Sequence, residues 1–563
     1  MTKRIQQDYF KRETAEVSNF ITSLKDNAAP SGTFDSAAAA DFMATATNQS
    51  SGIKIPETLQ AVLDDCKDDT EKERVTRAIL DGVKIYEEQH GMSVPADVAE
   101  QALHLAYATT SEAKRKYGAA LDSASSVHHD QGSIQPNRAV VSILTTFAEA
   151  IPFAHYLPAD IGSNEAKLAI VSHQAGNTFG AYAQNDLLDG THSGGAYVGA
   201  ARVHTSNPST TAGSEGNVSG KLTVGQNTSD TCDQGAGGVK LLRGRSQVYV
   251  NGVLAAQEPI NSSGAGNSPV NGSITIAGTV YVIGGTINTD TGVYALTSTP
   301  PLPGAIPVTV EGFIDFERDA SVTPSIITSV STFQLYAAPW RVITRQSIDG
   351  RTQMANELNL DPYSESIIAI QNQFANERHY NVLAKARRLA ANNQSTYDFD
   401  WASRSTQLKR NDIWHDFGAA LANASQQMAV DTMNHGITHL YVGKDIASQF
   451  LTLANDIFEP SGIAVRPGIF RVGRLFGQYE VYYTPKEVAE TANSGNVLCV
   501  GRATDVARNP IVLGDAVPPT VKPLLAGDDL REGAGFYARN FTAVNPHGPS
   551  SLGCATINVT NLR

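Results

Sequence analysis

Cysteine, tryptophan and methionine are scarce, at four, three and six in 563 residues. Cys66, Cys232, Cys499 and Cys554 lie far apart without CxxC or CxH spacing, which argues against a zinc cluster or a secreted disulfide framework and predicts a reducing compartment. Long apolar runs are also missing. The best membrane candidate, Ala139 to Leu157, is interrupted by Glu149, Pro152 and His155. The first residues include Lys3, Arg4, Asp8, Lys11, Arg12 and Glu13 where a secretory signal would need an apolar core, so a soluble, unexported chain is predicted. Positive charge is in deficit, 43 Lys and Arg against 56 Asp and Glu, which disfavours a protein that holds duplex nucleic acid mainly by neutralising phosphates. What is present is length, enough for roughly three or four units of about 150 residues. A chain of this size builds its core without covalent or metal staples.

Catalytic signatures are equally sparse. Gly443-Lys444 is followed by Asp445, not Ser or Thr, and the earlier Gly436 is at the wrong distance for a phosphate-cradling loop. His435 and His439 have the i, i+4 spacing of a zinc-protease helix, but Gly436 stands where that motif needs Glu, and Ile437 to Val442 reads as strand. His128-His129-Asp130 reads as an exposed junction before it reads as a metal tripod. The acids Asp64, Asp65, Asp68, Asp69, Glu71 and Glu73 lack the central Gly of a calcium loop and suit a solvated helix entrance. There is no GxSxG elbow, and Asp398 with Asp400 is a carboxylate pair without an indicated cleft. Lys385, Arg387 and Arg388 fit a helix C-terminus, or a contact with nucleic acid or a neighbouring subunit. No catalytic, cofactor-binding or metal-binding residue is assigned.

Composition shifts along the chain. Of residues 1–130, 35 are charged, whereas Thr205 to Val310 holds only nine charges and 17 Gly, so two kinds of structure are expected. Phe10, Val17, Phe20 and Leu24 form an apolar stripe, and Val75, Ile79, Val83 and Tyr86 form another that Gly91 stops. A third helix is predicted to begin near Pro95, and Asn27 to Lys54 reads as a flexible connector. The N-terminal segment thus looks modular and detachable. From Asn217 to about Asp315 the pattern has period two, with Asn251-Gly252 as a hairpin turn and Asp290-Thr291-Gly292 as another. Asp361 followed by Pro362 predicts a helix running to about Ala391, roughly 45 Å long. A second amphipathic helix, 412–434, precedes strands at 437–442, 468–475, 478–483 and 497–500, with a short helix capped by Asp445 between the first two.

The segment AIPFAHYLPADIGSNEAKLAIVSHQAGNTFGAYAQNDLLDG, within residues 137–190, resembles the early part of a tailed-bacteriophage major capsid protein with the Hong Kong 97-type fold. NTDTGVYALTSTPP and then VTVEGFIDFERDASVTPSIITSVSTFQLYAAPWRVITRQS are similar to the extended-loop strands before the spine helix of that family. GITHLYVGKDIA and GIFRVGRLFGQYEVYY resemble its axial domain. The resemblance covers about residues 137–563. It implies an α+β fold with peripheral and axial domains, a long spine helix, an extended loop carrying an all-β insertion, and an N-terminal helical region. The implied divisions are a scaffold-like or N-arm region at 1–130, the N-arm and start of the extended loop at 131–204, and the all-β insertion at 205–318. The loop return and peripheral domain with the spine follow at 319–405, the axial domain at 406–510 and the returning strands at 511–563.

By the same resemblance the chain is a structural, non-enzymatic subunit that assembles with itself into hexamers and pentamers of an icosahedral virion shell, built in the host cytoplasm and enclosing double-stranded DNA without sequence-specific binding. Portal, scaffold, maturation protease and decoration proteins are the further partners it implies, with no membrane and no cofactor. Some relatives lose their N-terminal helices to a protease or join a Lys to an Asn between subunits, and no such pair maps onto this chain. An encapsulin-like compartment is the alternative within the fold. A glycan-binding or glycan-cleaving enzyme is the alternative outside it, disfavoured because Thr205 to Val310 contains no Trp and few carboxylates.

Overall fold

The computed structural model describes residues 3–29, 35–47, 54–110, 112–113, 131–159, 164–226, 230–260, 266–358, 362–524 and 531–563. The chain divides into two compact units, Met1–Ile170 with Thr332–Arg563, and Val171–Ser331.

The first unit is organised by a seven-stranded sheet, in the order Gln394–Asp398, Cys554–Thr560, Ser494–Val500, His439–Val442, Tyr479–Tyr483, Phe470–Leu475, Phe458–Pro460. Side chains alternate across a strand, and here both faces are apolar. Leu440, Val442, Val481, Val497, Cys499, Ala555 and Ile557 face one core with Trp414, Phe417, Leu421 and Met428 of the helix Arg410–Thr432. Tyr441, Tyr482, Leu498, Val500 and Cys554 face the other, with Val382, Leu383 and Ala386 of the helix Pro362–Leu389. This long helix has 28 residues, about 42 Å at the usual rise. Its earlier turns cross a four-stranded sheet of His155–Tyr156, Ile511–Leu524, Arg531–Val544 and Ala338–Ser347, where Phe374 packs on Phe536, Ala538 and Trp340.

The second core also takes in the N-terminal helices. Lys3–Ala28, Ser36–Thr47, Glu57–Asp64, Asp69–His90 and Ala96–Ala108 contribute Phe20, Leu24, Phe42, Leu59, Val83, Tyr86 and Leu103 to the cluster that holds Leu383 and Tyr482. The helical region through Ala108 is therefore packed into the body, against the expectation of a detachable module. The connector expected at 27–54 is corrected too, because Ser36–Thr47 is a helix. Its SAAAADFMATAT sequence carries four consecutive alanines, the best helix formers, and little apolar periodicity to betray it. Asp361 lies outside the described residues. Asp445 sits inside the first turn of Lys444–Phe450, whose N-cap position is Gly443.

The second unit carries an eight-stranded sheet whose neighbours are all antiparallel, ordered Ala201–Ser206, Val308–Phe313, Gln247–Val250, Val253–Gln257, Asn267–Ile276, Thr279–Asn288, Val293–Thr299, Val218–Lys221. Asn251 and Gly252 both have positive φ, 50° and 76°, as the tight hairpin requires. Val248, Val250, Val270, Ile283, Ile287, Tyr294, Leu296 and Val310 build its own core. Glu165–Ala175 and Ile326–Tyr336 pair with each other where the chain enters and leaves this unit.

Leu383 is fully buried where the long helix meets the N-terminal helices. Leu383→Ala should cost about 2–5 kcal/mol, read as a lowered urea midpoint with an unchanged transition slope.

Candidate assembly surfaces and the buried polar seam

The sequence-level candidates do not converge. His439 begins a central strand, and His435 lies on the loop before it, so the zinc-helix geometry is absent. Asp398 ends an edge strand, where its carboxylate accepts hydrogen bonds from the backbone N–H of Asp400 and the side chain of Asn561. The Gly443-Lys444-Asp445 turn is closed by Glu490, whose carboxylate accepts from the Asp445 N–H at 2.7 Å. Lys385 donates to the Thr542 carbonyl and hydroxyl, and Arg387 pairs with Glu487 at 3.2 Å, so both are engaged within the chain. His128-His129-Asp130 falls outside the described residues. Among the described residues no group of three or more His, Cys, Asp and Glu could hold a metal, and no helix is long and apolar enough to cross a membrane.

Sequence reasoning missed a polar seam inside the first unit. Asp97, on the helix after Pro95, is 4% exposed. Its Oδ1 accepts from Arg502 Nη2 at 2.7 Å, its Oδ2 accepts from the Tyr156 N–H at 2.8 Å, and His155 Nδ1 lies 3.2 Å away. Arg502 Nη1 also donates to the carbonyls of Pro152 and Ala154, at 2.6 and 2.7 Å. Burial alone would raise the Asp97 pKa, but Arg502, His155 and the Tyr156 N–H outweigh it and hold the carboxyl well below the usual carboxylate range. Nearby, Arg378 of the long helix meets Asp515 at 2.9 Å beside a cavity of about 40 Å³ that Glu149 also lines. His90 Nδ1 is 3.0 Å from the Tyr482 hydroxyl. No local signal marks Asp97, because its ionic partner is 405 residues away in sequence.

These groups titrate in opposite senses. Burial, then His379 and Arg471, lowers His90 to about 3, and burial, then Arg502 and His90, lowers His439 to about 3. Burial takes His379 to about 4, and burial with His155 takes His435 to about 4. Burial raises Glu100 to about 8 despite its hydrogen bond from Thr14, and raises Glu149 to about 7 despite Arg378.

Among the outward features of the described residues, beside single exposed side chains such as Ile260 and Val465, are two apolar strands. In the chain-continuous strands Ile326–Tyr336 and Ala338–Ser347, Ile326, Tyr336 and Ile343 are 56%, 62% and 64% exposed. Ile327, Val330 and Val342 are exposed as well. Fully burying a side chain of this kind is worth about 1.5–3 kcal/mol, and covering the part these still expose about half of that.

Asp97→Asn leaves Arg502 buried without its counter-charge and should destabilise the chain by about 3–5 kcal/mol in urea unfolding. As pH falls from about 8 to 4.5 the folded chain takes up protons on Glu100 and Glu149 that the unfolded chain does not, which adds stability. From about 6.5 down to 3 the unfolded chain takes protons that His90, His379, His435 and His439 refuse, which removes it. The urea midpoint should hold level or rise between about pH 8 and 6.5 and fall steeply below about 4.5, where only the loss continues and Asp97 adds to it.

No protein-family model and no curated protein matches the chain. Among solved structures, it is similar to the chain titled Microbacterium phage Oxtober96 at 14% identity and TM-score 0.28, over 43% of this chain and 79% of that one. For the capsid of the jumbo bacteriophage PhiKZ the values are 12% and 0.36, over 72% and 91%. For the SrpI encapsulin of Synechococcus elongatus they are 8% and 0.27, over 43% and 80%. In its own elements, the chain is an α+β protein with a 28-residue helix, a mixed seven-stranded sheet and C-terminal strands that return to its sheets.

Proposed function

We propose that this chain is a major capsid protein, a structural subunit that assembles with copies of itself into the icosahedral shell of a tailed-phage virion. The observation that carries this reading is the run of exposed Ile, Val and Tyr on the strands 326–336 and 338–347, which the short helix Ile348–Leu358 separates from the long helix. An apolar extended strand left uncovered invites pairing with another chain, and a repeated subunit covers it with the next copy. The order of elements, with two extended strands and a short helix ahead of a long helix that packs on two sheets, supports the same reading. Shell geometry then asks each subunit to bury on the order of 1,500 Å² or more against its neighbours. The role is mechanical rather than catalytic, and the enclosed content is double-stranded DNA.

The subunit divisions implied by the family order form part of this proposal, with the all-β insertion at 205–318 lying inside the second unit, Val171–Ser331. The helices through Ala108 belong to the body of the subunit, because they supply one side of the core around Leu383 and Tyr482.

Electron microscopy of the purified chain, or of particles that contain it, should show closed icosahedral shells or their hexameric and pentameric building blocks. A chain that stays monomeric at every concentration and salt would overturn the reading, and particles filled with a cargo protein in place of DNA would redirect it to a cellular compartment. Tyr336→Asp, at a site 62% exposed, should raise the concentration needed for assembly about tenfold or more while leaving subunit unfolding within about 0.5 kcal/mol of wild type.

A further inference from the structure

We propose that the part of the four-stranded sheet spanned by residues 339–347 and 531–539, on the face turned away from the long helix, is a basic docking surface for carboxylates of a second copy of this chain; this deepens the shell reading and rests on it. The same face further along, at Phe541 and Val512, is already covered by Ala159, Ala166, Leu335 and Ala337. The antiparallel register sets Pro339 opposite Arg539, Arg341 opposite Tyr537, Ile343 opposite Gly535, Arg345 opposite Gly533 and Ser347 opposite Arg531. Directly paired residues share a face, so Arg341, Arg345, Arg531 and Arg539 all belong to one side of the sheet. The other side is taken, because Trp340, Phe536 and Ala538 pack against Phe374 of the long helix. On the arginine side, the paired positions 339–347 and 531–539 include no Asp or Glu.

The local chemistry favours presentation outward. Arg345 and Ile343 stand opposite glycines, so no cross-strand side chain covers them, and both are exposed. The Arg341 guanidinium sits 5.6 Å from the Tyr537 ring centroid, an aromatic support that limits its wandering. Arg539 is held by its Nε, which donates to the Ala337 carbonyl at 3.1 Å. Arg341 and Arg345 are four residues apart on one strand, about 13 Å, close enough to act as one patch within about two screening lengths at physiological salt.

Complementarity names the occupant. The chain carries 56 acidic and 43 basic residues and a net charge of −13, so a surface that gathers arginines without acids on paired strands runs against the overall balance. Planar guanidiniums match carboxylates in pairs, and every copy brings surplus carboxylates to such a surface. A nucleic acid would meet the same arginines only against the net negative field of the whole subunit.

The test compares wild-type chain, R341Q/R345Q and R341E/R345E by light scattering and sedimentation from about 0.05 to about 0.5 M salt. Wild-type assembly should weaken as salt rises. The Gln pair should assemble less readily with a flatter salt response, and the Glu pair should need about tenfold or more chain to assemble. Circular dichroism and unfolding of the dissociated subunits should match across all three, and the Gln pair, which keeps polar side chains of similar length, separates lost docking from lost folding. Variants that assemble at wild-type concentration with wild-type salt dependence would overturn this surface alone. So would variants that assemble normally but lose binding to duplex DNA. A wild-type chain that never assembles would sink the shell reading, and this inference with it.

Discussion

A sheet with two apolar faces cannot stand alone in water. In the first unit, Leu440, Val442, Val481 and Ile557 point one way and Tyr441, Tyr482, Leu498 and Val500 point the other, so both sides must be roofed by helices. Arg410–Thr432 covers one face. The opposite face is covered jointly by the long helix and by helices from the first 108 residues. The N-terminal region is held by this constraint: to withdraw it would expose Tyr482, Leu383 and their neighbours to water.

The buried charges refine that arrangement. Asp97, Arg502 and His155 come from three separate stretches of chain, and they meet where the N-terminal helices reach the body. An ion pair at 4% exposure contributes little by its mere presence, since removing both charges from water is costly. Its effect is on register. Asp97 accepts from both Arg502 and the Tyr156 N–H, and Arg502 also donates to two carbonyls, so sliding the helix would strand several polar groups at once. Arg378 with Asp515 sets the long helix against the neighbouring sheet in the same way.

Function in this reading lies on what the cores leave uncovered. The strands 326–336 and 338–347 present apolar side chains outward, and the second of them carries arginines on the side of its sheet away from the long helix. Apolar area supplies association free energy without direction, whereas charges placed at fixed strand positions choose orientation and partner. A subunit that must meet its own copies repeatedly uses both.

Local signals made much of this legible. Asn251-Gly252 specified its hairpin because few other pairs tolerate two positive φ values in succession, and the Pro362 start with uninterrupted helix formers specified the 28-residue helix. The helix 36–47 escaped notice, since alanine favours helix without leaving an amphipathic stripe. Asp97 was invisible for a different reason: at the start of an ordinary helix it reads as a favourable charge near the dipole, and only folding brings Arg502 to it from 405 residues away. The arginine face is likewise a product of pairing. Residues 341 and 345 share a side by strand period alone, but their grouping with 531 and 539 depends on which strands become neighbours, and hydrogen-bond register between distant segments is settled only when the chain has closed on itself.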